Sequence, residues 1–422
     1  MNTEFDALII GGGPAGSSAA IMLARAGWSV ALVEKQNFPR RKVCGECIAA
    51  SNLPLLAALG IGSLFEQAAG PELRQVALMH GTHKVVADLP AAPHAQYPWG
   101  RALGRETLDT LLIAQARAAG VHVMQPWAAV RTKGSAGRWR CDVRATDSGT
   151  LLTLRAAVLI DAHGSWEALP AARARHSRVH HGSDLLAFKA NFRQAQLAKG
   201  LLPVLAFSGG YGGMVRADGG LTTLACCIRR DCLEASRRKS PGLSAGEVIE
   251  GLLKEQCGGV KAALQGATRE GVWLAAGPLD TGIHLSPGDD VFRIGNAAGE
   301  AHPIIGEGMS MALQSAWLLC AQLLHDKPGP GLTDPVWQRK QVRRYAAQWR
   351  LAFASRLRLA AVLAHVAMRP MLAKPMLALL QRWPGLLTLG AGWSGKTRCA
   401  ADPVAIALQN GFCEPAMTQQ RA

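Results

Sequence analysis

At 422 residues the chain is long enough for more than one domain, and 49% hydrophobic residues with 18% charged mark a packed globular protein rather than a disordered one. Ten scattered cysteines do not form the short, regular spacing of a secreted disulfide framework, so a reducing cytoplasm is expected. The net charge of +16 comes without a recognition motif, which speaks against nucleic acid as the partner.

The N-terminus MNTEFDALIIGGG has neither a basic n-region nor a cleavage site, so no leader is expected. Phe5 to Ile10 reads as a buried strand, followed by GGGPAG, a helix through SSAAIMLARAG and a second strand WSVALVEK. This is a strand, G-x-G-x-x-G, helix, strand unit with Gly11, Gly13 and Gly16 in the three glycine positions. Gly11 permits the tight turn, Gly13 lets backbone approach a pyrophosphate, and Gly16 lets helix and strand pack closely. The helix start supplies free N–H groups for phosphates, and Glu34 closes the second strand where an acid grips ribose hydroxyls. Dinucleotide binding is therefore expected.

Next comes RRKVCGECIAAS (40–51), with two cysteines three apart. Three readings compete: a redox dithiol, a zinc half-site, or a loop beside a cofactor. The first lacks a thioredoxin-like setting. The second lacks a partner pair, HGTH (80–83) being the nearest candidate, so no metal is expected. Further along, GRETLDTLLIAQARAAGVHV reads as a helix and strand, and RWRCDVRATDSGTLLTLRA alternates like a hairpin. AAVLIDAHGSW (156–166) is a strand ending in Asp161-Ala-His-Gly164. DLLAFKANF, PVLAFSG, YGGMVRADG and LTTLACCIRR read as successive strands of an apolar substrate-binding sheet.

After the strand-like DDVFRI comes GNAAGEAHPIIGEGMSMALQSAWLL. This resembles the second flavin-contacting motif of the FAD-dependent family of aromatic hydroxylases (group A flavoprotein monooxygenases), geranylgeranyl reductases and flavin halogenases. Gly295, Ala297, Ala298, Pro303, Gly306 and Gly308 match, while Asn296 stands where the family usually has Asp. The resemblance covers about residues 1–330 and implies FAD as cofactor, with NAD(P)H as electron donor although no second G-x-G-x-x-G is present. It implies an α/β fold: a Rossmann-like, glutathione-reductase-type three-layer ββα FAD-binding domain from 1–75, 101–165 and 276–330. A mixed β-sheet substrate domain is inserted at 76–100 and 166–275, and a basic helical region follows at 331–422. The cofactor-binding set it implies is Gly11, Gly13, Pro14, Ala15, Gly16, Glu34, Lys35, Arg41, Cys44, Gly45, Arg105, Ala129, Asp161, Gly164, Gly295, Asn296, Pro303, Gly306, Gly308 and Met309.

Within that family RRKVCGECIAAS is similar to the Lys-x-Cys-Gly element of geranylgeranyl reductases, through Lys42, Cys44 and Gly45. It also echoes the G-E-S of halogenases. Cys44 and Cys47 are then expected at the active-site wall, and His302 is the best acid, base or substrate anchor, against a purely structural loop histidine. The reaction expected first is monooxygenation of a hydrophobic, aromatic or lipid-like molecule through a flavin C4a-hydroperoxide. The alternative is double-bond reduction or dehydrogenation, supported by Lys-x-Cys-Gly and the Gly-Glu-Gly turn. Halogenation is disfavoured, since W-x-W-x-I-P is absent and no lysine can be assigned to deliver hypohalous acid. A non-catalytic FAD-binding docking protein is the remaining reading.

Between Pro335 and Ala401 there is no Asp or Glu and there are twelve Lys or Arg. Val342, Tyr345, Trp349, Phe353, Leu357, Ala360 and Leu363 recur among them at helical spacing. Such a segment suits the anionic inner face of a membrane, or packing on its own domain. Pro328, Pro330, Pro335, Pro370, Pro375 and Pro384 predict a series of short helices.

Overall fold

The computed structural model describes residues 3–94, 96–165, 180–286, 288, 290–325 and 331–397. Arg398 and the rest of the expected basic region, with Cys399 and Cys413, lie outside the described residues, as do Pro328 and Pro330.

The first strand (Glu4–Ile10) is buried on both faces over its second half, which only a central parallel strand allows. It pairs in parallel with Val30–Val33 on one side and Leu151–Asp161 on the other, so that Ile10 lies level with Val33 and Asp161. The sheet runs in the order 122–124, 30–33, 4–10, 151–161, 138–145, 127–135, with Phe292–Arg293 beside the end of 151–161. Arg138–Ala145 alternates exposed and buried residues as the sequence predicts, and forms an antiparallel meander with its two neighbours. The helix Pro14–Arg25 crosses the parallel strands and is buried through ten consecutive residues. Its small residues, Ala15 to Ala20, let the equally buried helix Gly308–His325 pack beside it.

The second sheet runs 268–276, 185–193, 222–229, 210–216, 201–207, 75–80, 83–88, and includes the four strands expected from the sequence. Only the pair 201–207 with 75–80 is parallel. Three helices, Arg230–Lys239, Ala245–Gln256 and Gly258–Ala263, cover one face through Phe188, Phe207, Leu224, Ile249 and Leu253. The other face turns towards the first domain and bounds a cleft.

The C-terminal region departs from the series of short helices. Pro335 to Ala367 form one helix of 33 residues, capped by the Asp334 carboxylate on the Val336 N–H at 2.9 Å. Pro335 and Pro370 each occupy the first turn of a helix, where a missing N–H costs nothing, and no proline lies between them. Pro375 is accommodated inside the next helix, Pro370–Arg382, which is followed by Gly385–Ala391. The apolar stripe Val342, Tyr345, Trp349, Phe353, Leu357 and Ala360 packs into the core of the first domain. Its residues are buried, so this stripe presents nothing to a membrane. Farther along the same helix, Ala364 and Ala367 cover the open face of the second sheet. Among the described residues no single helix is long and apolar enough to cross a membrane.

Trp349 pins this helix. It is fully buried, its ring tilted at 59° against Phe353 with centroids 5.2 Å apart, and a Cβ added at Gly299 would lie 2.4 Å from its ring. Trp349→Ala should therefore destabilise the protein by about 3–5 kcal/mol. Urea unfolding of the variant against the parent checks this.

Candidate flavin site and substrate cleft

The cleft between the two sheets encloses about 740 Å³ and begins at the glycine turn. Gly11 has φ +108°, and a Cβ there would meet the Ala162 carbonyl oxygen at 2.3 Å. Gly13, Pro14 and Ala15 line the cleft, and the space beside Gly13 is open as far as Arg105 Nη2 at 3.6 Å. Gly16 does not line it. A Cβ on Gly16 would sit 1.9 Å from the Gly11 carbonyl oxygen, so its role is the close packing of helix on strand. Glu34 is held by the Gly12 N–H at 2.9 Å and the Gln36 N–H at 2.8 Å, with Lys35 beside it on the wall. Ala129, from the meander, and Gly164, after the Asp161 strand, complete this end.

Two residues of the expected set point elsewhere. Arg41 donates to the Glu270 carbonyl and pairs with Glu106 at 3.5 Å, outside the cleft. Its neighbours Arg40 and Lys42 are the ones that line the wall. Asp161 is bonded to the His163 ring and lies 3.9 Å from Arg293, so it shapes the loop rather than facing a ligand.

Arg105 lies at the wall, locked by two 2.7 Å bonds to Asp109 one turn on. Burial works against its charge, but the Asp109 carboxylate overrides that and raises its pKa. Arg40, Lys42 and Arg105 thus converge beside the N-terminus of the helix Pro14–Arg25. Burial, then repulsion from Arg105 and Arg40, pushes the Lys42 amine down to about 8. Three cations crowded at a helix start fit the diphosphate of a dinucleotide, and Glu34 fits its ribose. The donor set therefore suits FAD.

Cys44, Gly45 and Cys47 line the middle of the cleft. Burial pushes the Cys47 thiol up, which makes it an inert wall group at neutral pH. Between them lies Glu46, which sequence reasoning missed. Its φ of +59° is unusual for a side chain of this size, and turns the carboxylate inwards. There it pairs with Lys189 and accepts from the Thr223 hydroxyl at 2.5 Å and the Arg105 N–H at 3.1 Å. Asn191 accepts from the same hydroxyl at 3.1 Å. The available signal was the lysine in the middle of the apolar strand LLAFKANFR, a position that demands a buried partner.

Gly295, Asn296, Pro303, Gly306, Gly308 and Met309 all line the cleft. Gly306 adopts the left-handed conformation that turns the chain into the helix Gly308–His325. Asn296 donates to Ser165 at 2.7 Å, so its amide is held in place without the charge of an aspartate. Glu307 is fully buried behind this turn, with Lys396 at 3.5 Å and Arg356 at 3.7 Å. Lys396 also donates to the Ile305 carbonyl at 2.8 Å and lines the cleft. The basic C-terminal region thus delivers a cation to the flavin turn, which no local sequence pattern announces.

His302 lies behind the wall rather than on it. Its Nδ1 is 3.0 Å from the Tyr211 hydroxyl and its Nε2 is 3.4 Å from Thr281 Oγ1. Burial lowers its pKa, keeping the ring neutral. Beside Cys227, whose side chain bonds the Tyr211 hydroxyl, the cleft is reached here by Tyr211 and Glu300. Burial raises the pKa of both, so the phenol stays protonated. Of the zinc candidates, His80 is engaged by the Ala206 carbonyl at 2.9 Å, and among the described residues no group of three His, Cys, Asp or Glu is placed to hold a metal.

The family model described as FAD binding domain matches residues 4–334. The menaquinone reductase of Mycolicibacterium smegmatis is 28% identical over 388 residues, covering 87% of this chain and 89% of that protein. Among solved structures, the myxobacterial chondrochloren halogenase CndH superposes with a TM-score of 0.73 at 19% identity, over 99% of both chains. PqsL of Pseudomonas aeruginosa, in complex with 2-aminobenzoylacetate, gives 0.64 at 18% identity over 86% of this chain and 97% of that one. At these identities the structures share the fold.

Two outcomes test this arrangement. Since bound anionic groups raise the Lys42 pKa above about 8, FAD binding takes up a proton at higher pH, and affinity should be constant below pH 8 and fall above it. Lys42→Met should weaken binding about tenfold and flatten that dependence, as read by quenching of FAD fluorescence at pH 7 and 9.5. Lys189→Met should cost about 3–5 kcal/mol of stability by leaving Glu46 buried without its cation, measured by urea unfolding.

Proposed function

The chain belongs to the FAD binding domain family, and from that premise we propose that it reduces a carbon–carbon double bond in a long, apolar, lipid-like substrate. That it is an FAD-dependent oxidoreductase follows from the family; the reaction is our reading. The observation that carries it is the shape and chemistry of the cleft beyond the flavin motifs. Leu78 and Val204 from the sheet face Leu363, Met376, Leu380 and Leu387 from the C-terminal helices. This apolar corridor leads to one protonated phenol, Tyr211. Full-length similarity to a menaquinone reductase supports the reading, as do Lys42-x-Cys44-Gly45 and Gly306-Glu307-Gly308.

When bound, reduced FAD supplies a hydride, and NADH or NADPH is the donor we assign to it. The chain's own residues would do the rest. The apolar walls exclude water and hold the extended substrate. Tyr211 gives the proton that completes the addition, one hydride and one proton saturating one double bond. In the tautomer with its proton on Nδ1, neutral His302 donates to the Tyr211 oxygen, and the phenol also bonds the side chain of Cys227, which lines the cleft beside it. Glu307, Lys396 and Arg356 keep the flavin turn rigid.

Monooxygenation is the second reading, favoured by a cleft that excludes water equally well and by the fold shared with PqsL, called a probable FAD-dependent monooxygenase. Anaerobic mixing of reduced protein with a polyprenyl quinone or prenyl alcohol separates the two. Reoxidation of the flavin without oxygen is expected, with a product two hydrogens heavier in which both hydrogens sit on carbons of the prenyl chain, whereas a quinol with its chain unsaturated overturns the reading. A product that requires oxygen and gains an oxygen atom overturns the reductase reading. Tyr211→Phe should slow the reoxidation about 100-fold at unchanged flavin content.

A further inference from the structure

The helix Pro370–Arg382 is apolar on both faces. Ala373, Leu377 and Leu380 are buried against the second sheet and the long helix. On the opposite side Met371 is 89% exposed, with Leu372 and Leu379 beside it at helical spacing. The exposed set continues through Trp383 (57%), Leu386 and Leu389 to Trp393 (70%). Isolated exposed apolar residues are ordinary, but seven within 23 residues, two of them tryptophan, form a contiguous segment that water does not favour. Arg369, Lys374 and Arg382 are exposed among them, and the sequence from Pro335 to Ala401 holds no acid.

We infer that this segment docks the protein on an anionic lipid bilayer, with Met371, Trp383, Leu389 and Trp393 entering the interface and Arg369, Lys374 and Arg382 meeting the headgroups. The charge pattern selects this occupant: apolar and aromatic tips ringed by cations, with no carboxylate of the segment's own and Asp88 of the strand 83–88 lying against Thr388, match an anionic bilayer surface. The segment also sits at the mouth of the cleft. Leu379 and Leu386 are 46% and 40% exposed and yet line the cleft wall, so surface and corridor meet at these two side chains. A lipid would pass from the bilayer into the corridor between them. The site differs from the amphipathic stripe legible in the sequence, which is spent on the protein's own core.

The inference deepens the reductase reading by naming the bilayer as the source of substrate, but its test reads partition and not turnover, so either can fail alone. Purified holoprotein is floated with vesicles of phosphatidylcholine and phosphatidylglycerol in equal parts, and with phosphatidylcholine alone. Flotation with the mixed vesicles is expected, with partition to the neutral ones about a hundredfold weaker. Tryptophan emission should shift to the blue with the mixed vesicles only. The variant Met371→Glu, Trp383→Glu, Trp393→Glu alters no cleft residue and should stay in the soluble fraction with its bound flavin intact. No flotation of the parent overturns the inference, as does equal flotation of the variant. A concentration-dependent dimer in sedimentation, lost in the variant and unaffected by vesicles, would overturn it in favour of a second copy.

Discussion

Glu46 is the residue on which the site depends. A carboxylate removed from water must be matched by a cation and by donors, and here the partners come from three separate places in the chain. Lys189 and Thr223 lie on the second sheet, and the Arg105 N–H starts a helix of the first domain. The pairing therefore fixes one sheet relative to the other at the floor of the cleft. It also explains the left-handed backbone at a position where a β-carbon is unfavourable. With Glu46 turned inwards, Cys44 and Cys47 face the cleft on either side.

A second buried charge does the same work at the other wall. Glu307 behind the flavin turn draws Arg356 from the long helix and Lys396 from the end of the described chain. Ser51 donates to the Gly395 carbonyl at 3.4 Å close by. The C-terminal helices are thereby tied to the nucleotide-binding domain at their far end while Ala364, Ala367, Leu377 and Leu380 rest on the substrate sheet. These contacts join the cap to the cofactor turn. A lipid-like substrate would have to pass beneath the cap, which places selectivity in residues remote from the glycine motifs.

The polar groups of the reacting end are ordered from behind. His302, adjacent to Pro303 in the flavin motif, bonds the Tyr211 hydroxyl and does not itself line the cleft. Asn296 replaces a charged contact by an amide held on Ser165. The same amide donates to Glu300 at 3.3 Å, an acid at the cleft wall whose pKa burial raises.

The sequence by itself determined the nucleotide-binding unit. The spacing of Gly11, Gly13 and Gly16 expresses local steric limits, and Glu34 follows within one strand, so neighbours along the chain suffice to specify the turn. The flavin motif from Gly295 to Met309 and the strands of the second sheet were legible for the same reason: each is a short pattern with its own backbone geometry. Tertiary structure alone decided the rest. Whether Arg41 or Lys42 faces the cleft depends on how one extended loop is rotated. The choice between membrane and core for the stripe Val342 to Ala360 was made by the helix Gly308–His325, which offered an apolar surface to bury it. Lys189 found Glu46 across 143 residues, and Lys396 found Glu307 across 89, because burial makes an unpaired charge too costly whatever the distance along the chain.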